Sequence, residues 1–200
     1  MGKLLHLPVG EYAKILGYTE VLTSRPLGTH VLNETLKKIS NVQAETVIEC
    51  SFEGIEICDY SFVDEFLLNL QLKVLAWDNT ILRIVDCKID VLENIKATLL
   101  LRNDNLRKQA PNGTKINILY FHDGRYNILG PIEKGLVAAF DNVIAHPECV
   151  TVRNVAEALE ISSLATIATR LKRRYDSRLI CRREEVDETG RQFLYFVPEV

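Results

Sequence analysis

The last third of the chain constrains the fold most, because its apolar residues change their spacing in a fixed order. Between Glu133 and Val197, three stretches carry apolar residues at helical spacing, and two stretches typical of strands follow them. The short segment 160–163 separates the second stretch from the third, and its small residues suit a tight angle between two helices. This order predicts three helices followed by a two-stranded hairpin with Thr189-Gly190 at its turn.

The three predicted helices each have one apolar face. The first ends before His146-Pro147, and its face consists of Leu136, Val137, Phe140, Val143 and Ile144. Thr151 is the expected N-cap of the second, whose core residues are Val152, Val155, Ala156 and Leu159. The third is expected to face the core with Leu164, Ile167, Ala168, Leu171 and Tyr175. Three close helices and a hairpin in this order predict a winged helix-turn-helix.

The outward face of the third helix is predicted to be polar and basic. The residues left outward are Ser163, Thr166, Thr169, Arg170, Arg173 and Arg174. Seven basic residues lie between Arg170 and Arg183, and only Asp176 opposes them. Arginines beside a helix that fits the major groove suit phosphate contacts, and the hydroxyl residues near the helix start suit base contacts. We therefore expect these six outward residues to contact double-stranded DNA.

The same region resembles a known family of regulators. The stretch Val152-Arg-Asn-Val-Ala-Glu-Ala-Leu, followed by Thr169-Arg-Leu-Lys-Arg-Arg-Tyr and Leu179-Ile, closely resembles bacterial winged-helix regulators. This implies DNA binding in transcription regulation. The tip of the predicted wing favours another use, because its carboxylates are repelled by the minor groove; they are Glu184, Glu185, Asp187 and Glu188. A winged helix used for dimerisation or protein docking therefore stays open.

The first part of the chain alternates between strand and helix patterns. Strands are predicted at residues 45–51 and 81–86, a further strand ends at Pro8, and a strand or short helix precedes Thr23. Three helices are predicted from apolar faces: Val31, Leu32, Leu36 and Ile39; then Phe62, Phe66, Leu70, Val74 and Trp77; then Leu92, Ile95, Leu99 and Leu106. Strands that alternate with long helices predict a small α/β domain with a mostly parallel sheet.

A second resemblance lies in this α/β region. The segment from Val47 to Phe66, with Thr23-Ser-Arg-Pro-Leu-Gly upstream, looks like the centre of a STAS-like domain, a family that includes relatives of the anti-sigma-factor antagonists. In those antagonists a partner kinase phosphorylates a serine at the start of the same helix, and Ser61 matches that position. The resemblance implies a candidate phosphorylation and partner site at Ser61, Asp64 and Glu65, and a histidine-kinase-like serine kinase as one partner.

A purely structural role for Ser61 is the alternative. Serine is a preferred N-cap, and Asp64 follows three residues later, where a capping box usually has Glu. We therefore predict that Ser61 begins a helix, with its hydroxyl near the N–H of Val63 or Asp64. Asp64 and Glu65 would then favour the positive end of the helix dipole. Because adjacent helical residues point about 100° apart, these two carboxylates are not expected to form a catalytic pair.

A connector separates the two regions. Pro111-Asn112-Gly113 is predicted to end the preceding helix, and two apolar runs around Asp123-Gly124 predict a β-hairpin whose domain is left open. The predicted organisation is therefore a STAS-like α/β domain at residues 1–110, a connector with a hairpin at 111–132, and an α+β winged helix-turn-helix domain at 133–200.

Composition and missing motifs restrict the function. The formal net charge of −3 means that any nucleic-acid surface must be local. The five cysteines are scattered and are expected to be reduced, and no nucleophile elbow, phosphate loop or metal motif is present. We expect a cytoplasmic, non-enzymatic regulator without cofactor, metal or membrane segment, with a homodimer left open. The alternatives are an interaction scaffold and an enzyme with an unrecognised site.

Overall fold

The computed structural model describes residues 2–39, 42, 44–109, 115–146, 148–187 and 190–199. The predicted break at Pro111-Asn112-Gly113 lies outside these residues. The first half of the chain contains β1 (Lys3–Pro8), α1 (Val9–Lys14), β2 (Val21–Leu22), α2 (Arg25–Lys38), β3 (Thr46–Ser51), β4 (Ile57–Cys58), α3 (Tyr60–Val63), a π-helical turn (Asp64–Leu68), α4 (Asn69–Val74), β5 (Thr80–Val85) and α5 (Ile89–Gln109). The second half contains β6 (Ile118–His122), β7 (Arg125–Leu129), α6 (Lys134–Ala145), α7 (Val152–Ala158), α8 (Leu164–Asp176), β8 (Cys181–Asp187) and β9 (Gly190–Phe196).

A mostly parallel five-stranded sheet organises this mixed α/β fold. Its spatial order is β1-β3-β5-β6-β7, and only β7 runs antiparallel to its neighbour. The strands predicted at residues 45–51 and 81–86 and before Pro8 are confirmed as β3, β5 and β1. The segment before Thr23 contains both a short helix, α1, and a short strand, β2, which pairs in parallel with β4.

The hairpin that the sequence left unassigned belongs to this sheet. Asp123 and Gly124 connect β6 to β7 with φ angles of 49° and 72°, so both residues have the positive φ that a two-residue type I′ turn needs. β6 pairs in parallel with β5, with Arg83 opposite Leu119. The sheet therefore reaches Leu129, and the strands β8 and β9 form a separate two-stranded sheet.

Each face of the central sheet has its own apolar core, because successive side chains of a strand point to opposite faces. One face packs against the helices of the first half, with Leu7, Ile48 and Ile84 among its fully buried residues. The opposite face contributes Ile81 and Leu119 to the core of the second half. The six residues of β5 are all buried, as expected for a strand covered on both sides.

The helix pair α2 and α3 packs closely at Gly28. A Cβ atom at Gly28 would lie 2.8 Å from the Glu65 Cβ and 3.1 Å from the Phe62 carbonyl oxygen, so only a glycine permits this approach. The π-helical turn begins at the same level, and it buries Phe66, Leu67 and Leu68 in succession. Such turns insert one residue into a helix, which rotates the face of the following turn.

The C-terminal unit, residues 134–199, contains the predicted three helices and hairpin. Thr151 is confirmed as the N-cap of α7, where its hydroxyl accepts from the Asn154 N–H at 3.1 Å and completes a capping box with the Asn154 side chain. The expectation that Leu164 faces the core is wrong, because this first residue of α8 is 46% exposed. Ile167, Leu171 and Tyr175 are buried as predicted.

Polar contacts fix the C-terminal unit to the loops at the amino ends of β3 and β5. Asp78 accepts from Tyr175 Oη at 3.0 Å and from Arg178 Nη2 at 2.8 Å. The Asn79 side chain accepts from the Arg182 N–H at 2.9 Å. These contacts therefore hold the end of α8 and the start of β8 at the amino end of β5. In the part of the chain that is described, we find no helix with both the length and the hydropathy of a bilayer-spanning segment.

Candidate nucleic-acid interface

The exposed face of α8 carries the hydroxyl residues that the sequence assigned to base contacts. Ser163 is the N-cap of the helix, and its Oγ accepts from the Thr166 N–H at 3.3 Å. Thr169 donates its hydroxyl to the Ala165 carbonyl at 2.9 Å. Ser163, Thr166 and Thr169 are all exposed, and they lie on the side of α8 that faces away from the sheet.

Three cations accompany these hydroxyls on α8. Arg173 is exposed and lies 3.5 Å from Glu133, Lys172 pairs with Asp176 at 2.6 Å, and Arg170 is half-buried. Exposed ion pairs of this kind contribute about 0–1 kcal/mol, so a stronger anion can replace their carboxylates.

The burial of Arg174 contradicts its predicted place among the outward residues of α8. We expected it to point outward, but its exposed fraction is 2%. It lies seven residues after Ile167 and three after Leu171, which places all three on one face of the helix. Burial lowers the pKa of Arg174 to about 10, while Glu133 partly opposes this effect. Its Nε and Nη2 atoms have no hydrogen-bond partner among the described residues.

Three more of the seven basic residues have internal partners. Arg178 is 7% exposed and binds Asp78, and Arg182 lies 4.1 Å from the Tyr175 ring centroid and 4.3 Å from that of Phe193. Arg183 pairs with Glu45. The basic cluster read from the sequence is therefore smaller at the surface, and Arg170, Lys172 and Arg173 are its members on the accessible part of α8.

A groove between α6 and α8 was not predicted from the sequence. It has a volume of ≈ 450 Å³ and is lined by Glu133, Gly135, Leu136, Ala165, Thr166, Thr169, Arg170 and Arg173. The sequence assigned the threonines and arginines of this group to DNA, but no local pattern connects them with the start of α6. Their proximity to Glu133 and Gly135 arises from the packing of the two helices.

Two of the four carboxylates assigned to the tip of the hairpin, Glu184 and Glu185, are exposed. Glu184 pairs with Arg191, and Glu185 accepts from Gln192 at 3.1 Å. Val186 is 73% exposed. Arg191 is thus engaged with Glu184, and Glu188 lies outside the described residues.

The prediction that Ser61 caps a helix is wrong. Asp59 is the N-cap of α3, because its Oδ1 accepts from the Phe62 N–H at 2.7 Å. Its Oδ2 accepts from the Ser24 N–H at 3.2 Å, which fixes the start of α2 at the same time. Aspartate caps helices as well as serine does, and the second oxygen gives Asp59 a bond that Ser61 lacks. Ser61 lies half-buried in the first turn of α3.

Asp64 and Glu65 form a charged cluster with arginines of two other helices. Asp64 is 4% exposed, and its carboxylate accepts from Arg25 at 3.1 Å and from Arg102 at 3.2 Å. Glu65 accepts from Arg25 at 3.2 Å. These carboxylates connect the π-helical turn with α2 and α5, so their role differs from the simple interaction with a helix dipole that the sequence suggested. Buried carboxylates require such partners.

Charged residues also cross the second face of the sheet. His6 and Arg83 both bind Glu49, at 2.9 Å and 2.8 Å, and Arg83 donates to Tyr126 Oη at 2.7 Å. The Arg83 guanidinium lies 4.6 Å from the ring centroid of Phe121. Arg83 is 6% exposed, and its guanidinium already donates to both Glu49 and Tyr126. These contacts therefore connect neighbouring strands and do not present a free cation.

The cysteines are free, as expected, and burial raises the pKa of the Cys58 and Cys181 thiols to about 12. Within the described part of the chain, no three His, Cys, Asp or Glu side chains are grouped as a metal site would require. No family model matches the chain, and neither a curated protein nor a solved structure matches it significantly.

Proposed function

We propose that the protein is a non-enzymatic regulator whose C-terminal unit binds double-stranded DNA as a winged helix-turn-helix. The exposed face of α8 carries this proposal. It presents Ser163, Thr166 and Thr169 with Arg170 and Arg173 beside them, and the opposite face of the helix is buried. Hydroxyl groups near a helix start and arginines further along suit base and phosphate contacts respectively.

The dimensions of α8 support the same function. A helix of 13 residues is about 20 Å long, and its diameter fits the major groove. Its N-terminus is capped by the short side chain of Ser163, whose Oγ accepts from the Thr166 N–H. The contacts to Asp78 and Asn79 are made at the far end of the helix and at the start of β8, so they leave the first two turns of α8 accessible.

The N-terminal unit is proposed as a STAS-like domain that receives the signal. Its half-buried Ser61 lies in the first turn of α3, close to the Asp59 cap and one turn from Asp64 and Glu65. A phosphate on Ser61 would be attracted by the positive end of the helix dipole and repelled by the neighbouring carboxylates. A histidine-kinase-like serine kinase is the proposed partner, and the test is mass spectrometry of Ser61 after incubation with a cognate kinase.

DNA binding is tested by fluorescence anisotropy with labelled duplexes of mixed sequence over a series of salt concentrations. We expect binding at low salt, with log K falling linearly with log salt because phosphate contacts release counterions. A protein that binds no duplex at the lowest salt concentration would contradict the proposal. A single-stranded competitor separates duplex recognition from general polyanion binding.

A second candidate function is protein docking or dimerisation through the hairpin. Val186 is 73% exposed and follows the exposed Glu185, and an apolar side chain beside a carboxylate suits a basic protein surface better than a phosphate backbone. Light scattering of the parent and of Val186→Ser distinguishes self-association from the monomeric state. If the second function is correct, Val186→Ser should have a lower apparent mass than the parent. Neither protein should then bind duplex DNA.

A further inference from the structure

The Arg170 guanidinium lies directly against Gly135. A Cβ atom at Gly135 would be 2.9 Å from Arg170 Nη2 and 3.0 Å from Arg170 Cζ. The absent side chain of Gly135 therefore provides the space that the guanidinium occupies at the groove between α6 and α8. The shape of α6 thus leaves room for Arg170 at the groove.

Two further arginines approach the same groove. Arg173 lines it one turn after Arg170 and contacts Glu133 at 3.5 Å, beyond normal hydrogen-bond length. Arg174 lies on the neighbouring, buried face of α8, where only 2% of its surface is exposed and two of its nitrogen atoms lack a partner among the described residues. A buried cation without full pairing is costly, and a nearby anion reduces that cost. Glu133 is the carboxylate that acts on Arg174 in this structure.

We propose that this groove binds one phosphate group of the DNA backbone, with Arg170 and Arg173 as its direct donors and Gly135 as the residue that makes room for them. The proposal rests on the DNA-binding function proposed above and adds α6 to the interface. Thr166 and Thr169 line the same groove, where their hydroxyls donate to Ser163 Oγ and to the Ala165 carbonyl and would have to turn to reach a phosphate oxygen. Glu133 acts as the internal competitor, which the phosphate displaces from Arg173.

Two substitutions at this groove should change phosphate binding in opposite directions, and this difference is the main test. Gly135→Ala adds a methyl group where the Arg170 guanidinium lies, so it should displace the guanidinium and weaken phosphate binding. Alanine favours a helix more than glycine does, so α6 is expected to stay folded. Glu133→Gln removes the competing charge and should strengthen binding. Lys172→Ala is the matched control, because it removes a charge from the same helix at a residue outside the groove.

The first measurement is a titration of the full-length protein with inorganic phosphate, followed by amide NMR at constant ionic strength with chloride as the reference. We expect a saturable shift of the Gly135 amide and of the Thr166 and Thr169 amides. Gly135→Ala and Arg170→Ala should raise the apparent Kd severalfold, Glu133→Gln should lower it, and Lys172→Ala should leave it unchanged. The inference is overturned if phosphate shifts no groove amide saturably, or if Gly135→Ala binds phosphate like the parent.

The second measurement distinguishes a backbone phosphodiester from free phosphate. If the groove holds the backbone, duplex DNA should shift the same amides and compete with inorganic phosphate, and Arg170→Ala/Arg173→Ala should reduce the salt slope by about 0.9 because the shared phosphate contact is lost. Duplex binding that leaves the groove amides unshifted would overturn this inference while the proposed DNA binding stands. Saturable phosphate binding without any duplex binding would instead overturn the proposed function, and the backbone assignment with it.

Discussion

Arg183 at the start of the C-terminal hairpin forms a two-pronged ion pair with Glu45, which immediately precedes β3. Arg183 Nε and Nη2 donate to Glu45 Oε1 and Oε2, each at 2.7 Å. The two residues are 138 positions apart in the sequence, so this contact joins the hairpin to the amino end of β3 in the central sheet. It also neutralises Arg183, one of the seven basic residues from which we had expected phosphate contacts.

Glu45→Gln is expected to lower stability slightly at neutral pH and to have no such effect in acid. The hydrogen bonds from Arg183 lower the pKa of Glu45 below its ordinary value of 4.5. The stabilisation is therefore complete above pH 4.5 and is lost as the pH falls through the lower, folded-state value. Since the pair is partly exposed, we expect about 0–1 kcal/mol. Urea unfolding of parent and variant at neutral and acidic pH measures it, and an equal difference at both pH values would contradict the prediction.

Asp78→Asn should destabilise the protein by about 1–3 kcal/mol, because the buried Arg178 loses its charged partner. Arg178 is 7% exposed and donates to Asp78 at 2.8 Å, and Tyr175 uses the same carboxylate oxygen. Asp141→Asn on the exposed side of α6 is the control for the same chemical change. Chemical denaturation monitors both variants, and equal stability of the two would show that the Asp78 carboxylate stabilises the protein no more than the exposed Asp141 carboxylate does.

Asp59→Ala should cost about 0.5–2 kcal/mol, which is the usual loss for a helix N-cap. Its carboxylate holds both the Phe62 N–H and the Ser24 N–H, so the starts of α3 and α2 should loosen together. Ser61→Ala is the matched comparison, and we expect it to change stability by less than about 0.5 kcal/mol. If Ser61→Ala proved the more damaging substitution in thermal unfolding, the cap would belong to Ser61 after all.

Arg174→Met should raise stability by about 1–4 kcal/mol, since replacing a buried, incompletely paired ion with an apolar side chain of similar size is often stabilising. Arg174 is 2% exposed, and its Nε and Nη2 lack partners among the described residues. The same variant should bind duplex DNA more weakly than the parent, because the positive potential beneath the groove is removed. Thermal unfolding and duplex anisotropy test the two parts, and a destabilised variant would mean that Arg174 is paired in solution.

The double variant Arg170→Ala/Arg173→Ala should reduce the slope of log K against log salt by about 0.9 for each phosphate that the protein no longer neutralises. Lys14→Ala/Lys96→Ala removes the same charge from exposed positions of α1 and α5 and serves as the control. Neutralising Glu184 and Glu185 to Gln should strengthen binding, because the carboxylates of the hairpin repel the backbone. A double arginine variant that binds duplex like the parent, at the same slope, would favour protein docking.

Local chemistry was enough to predict most helices and strands. Asp123-Gly124 specifies its two-residue turn because both positions need a positive φ, and Thr151 specifies a helix start through its own hydroxyl. The apolar spacing of Val31 to Ile39 and of Leu92 to Leu106 likewise predicted α2 and α5. Each of these features depends on residues within a few positions of one another.

The charged residues were the point at which local patterns failed. The sequence-based prediction placed Arg174 outward, although its spacing from Ile167 and Leu171 puts it on the buried face of α8. Asp59 and Ser61 are both good caps by sequence, and the bond to Ser24, 35 residues away, favours Asp59.

By itself, the sequence therefore determined where the chain forms most of its helices, strands and turns, together with the mostly parallel character of the sheet. Only the tertiary structure decided which cations remain at the surface, because Arg178 and Arg183 meet carboxylates 100 and 138 positions away. It also brought Gly135 and Glu133 to Arg170 and Arg173. The physical reason is that secondary structure follows from neighbours along the chain, whereas burial and ion pairing depend on groups that only folding brings together.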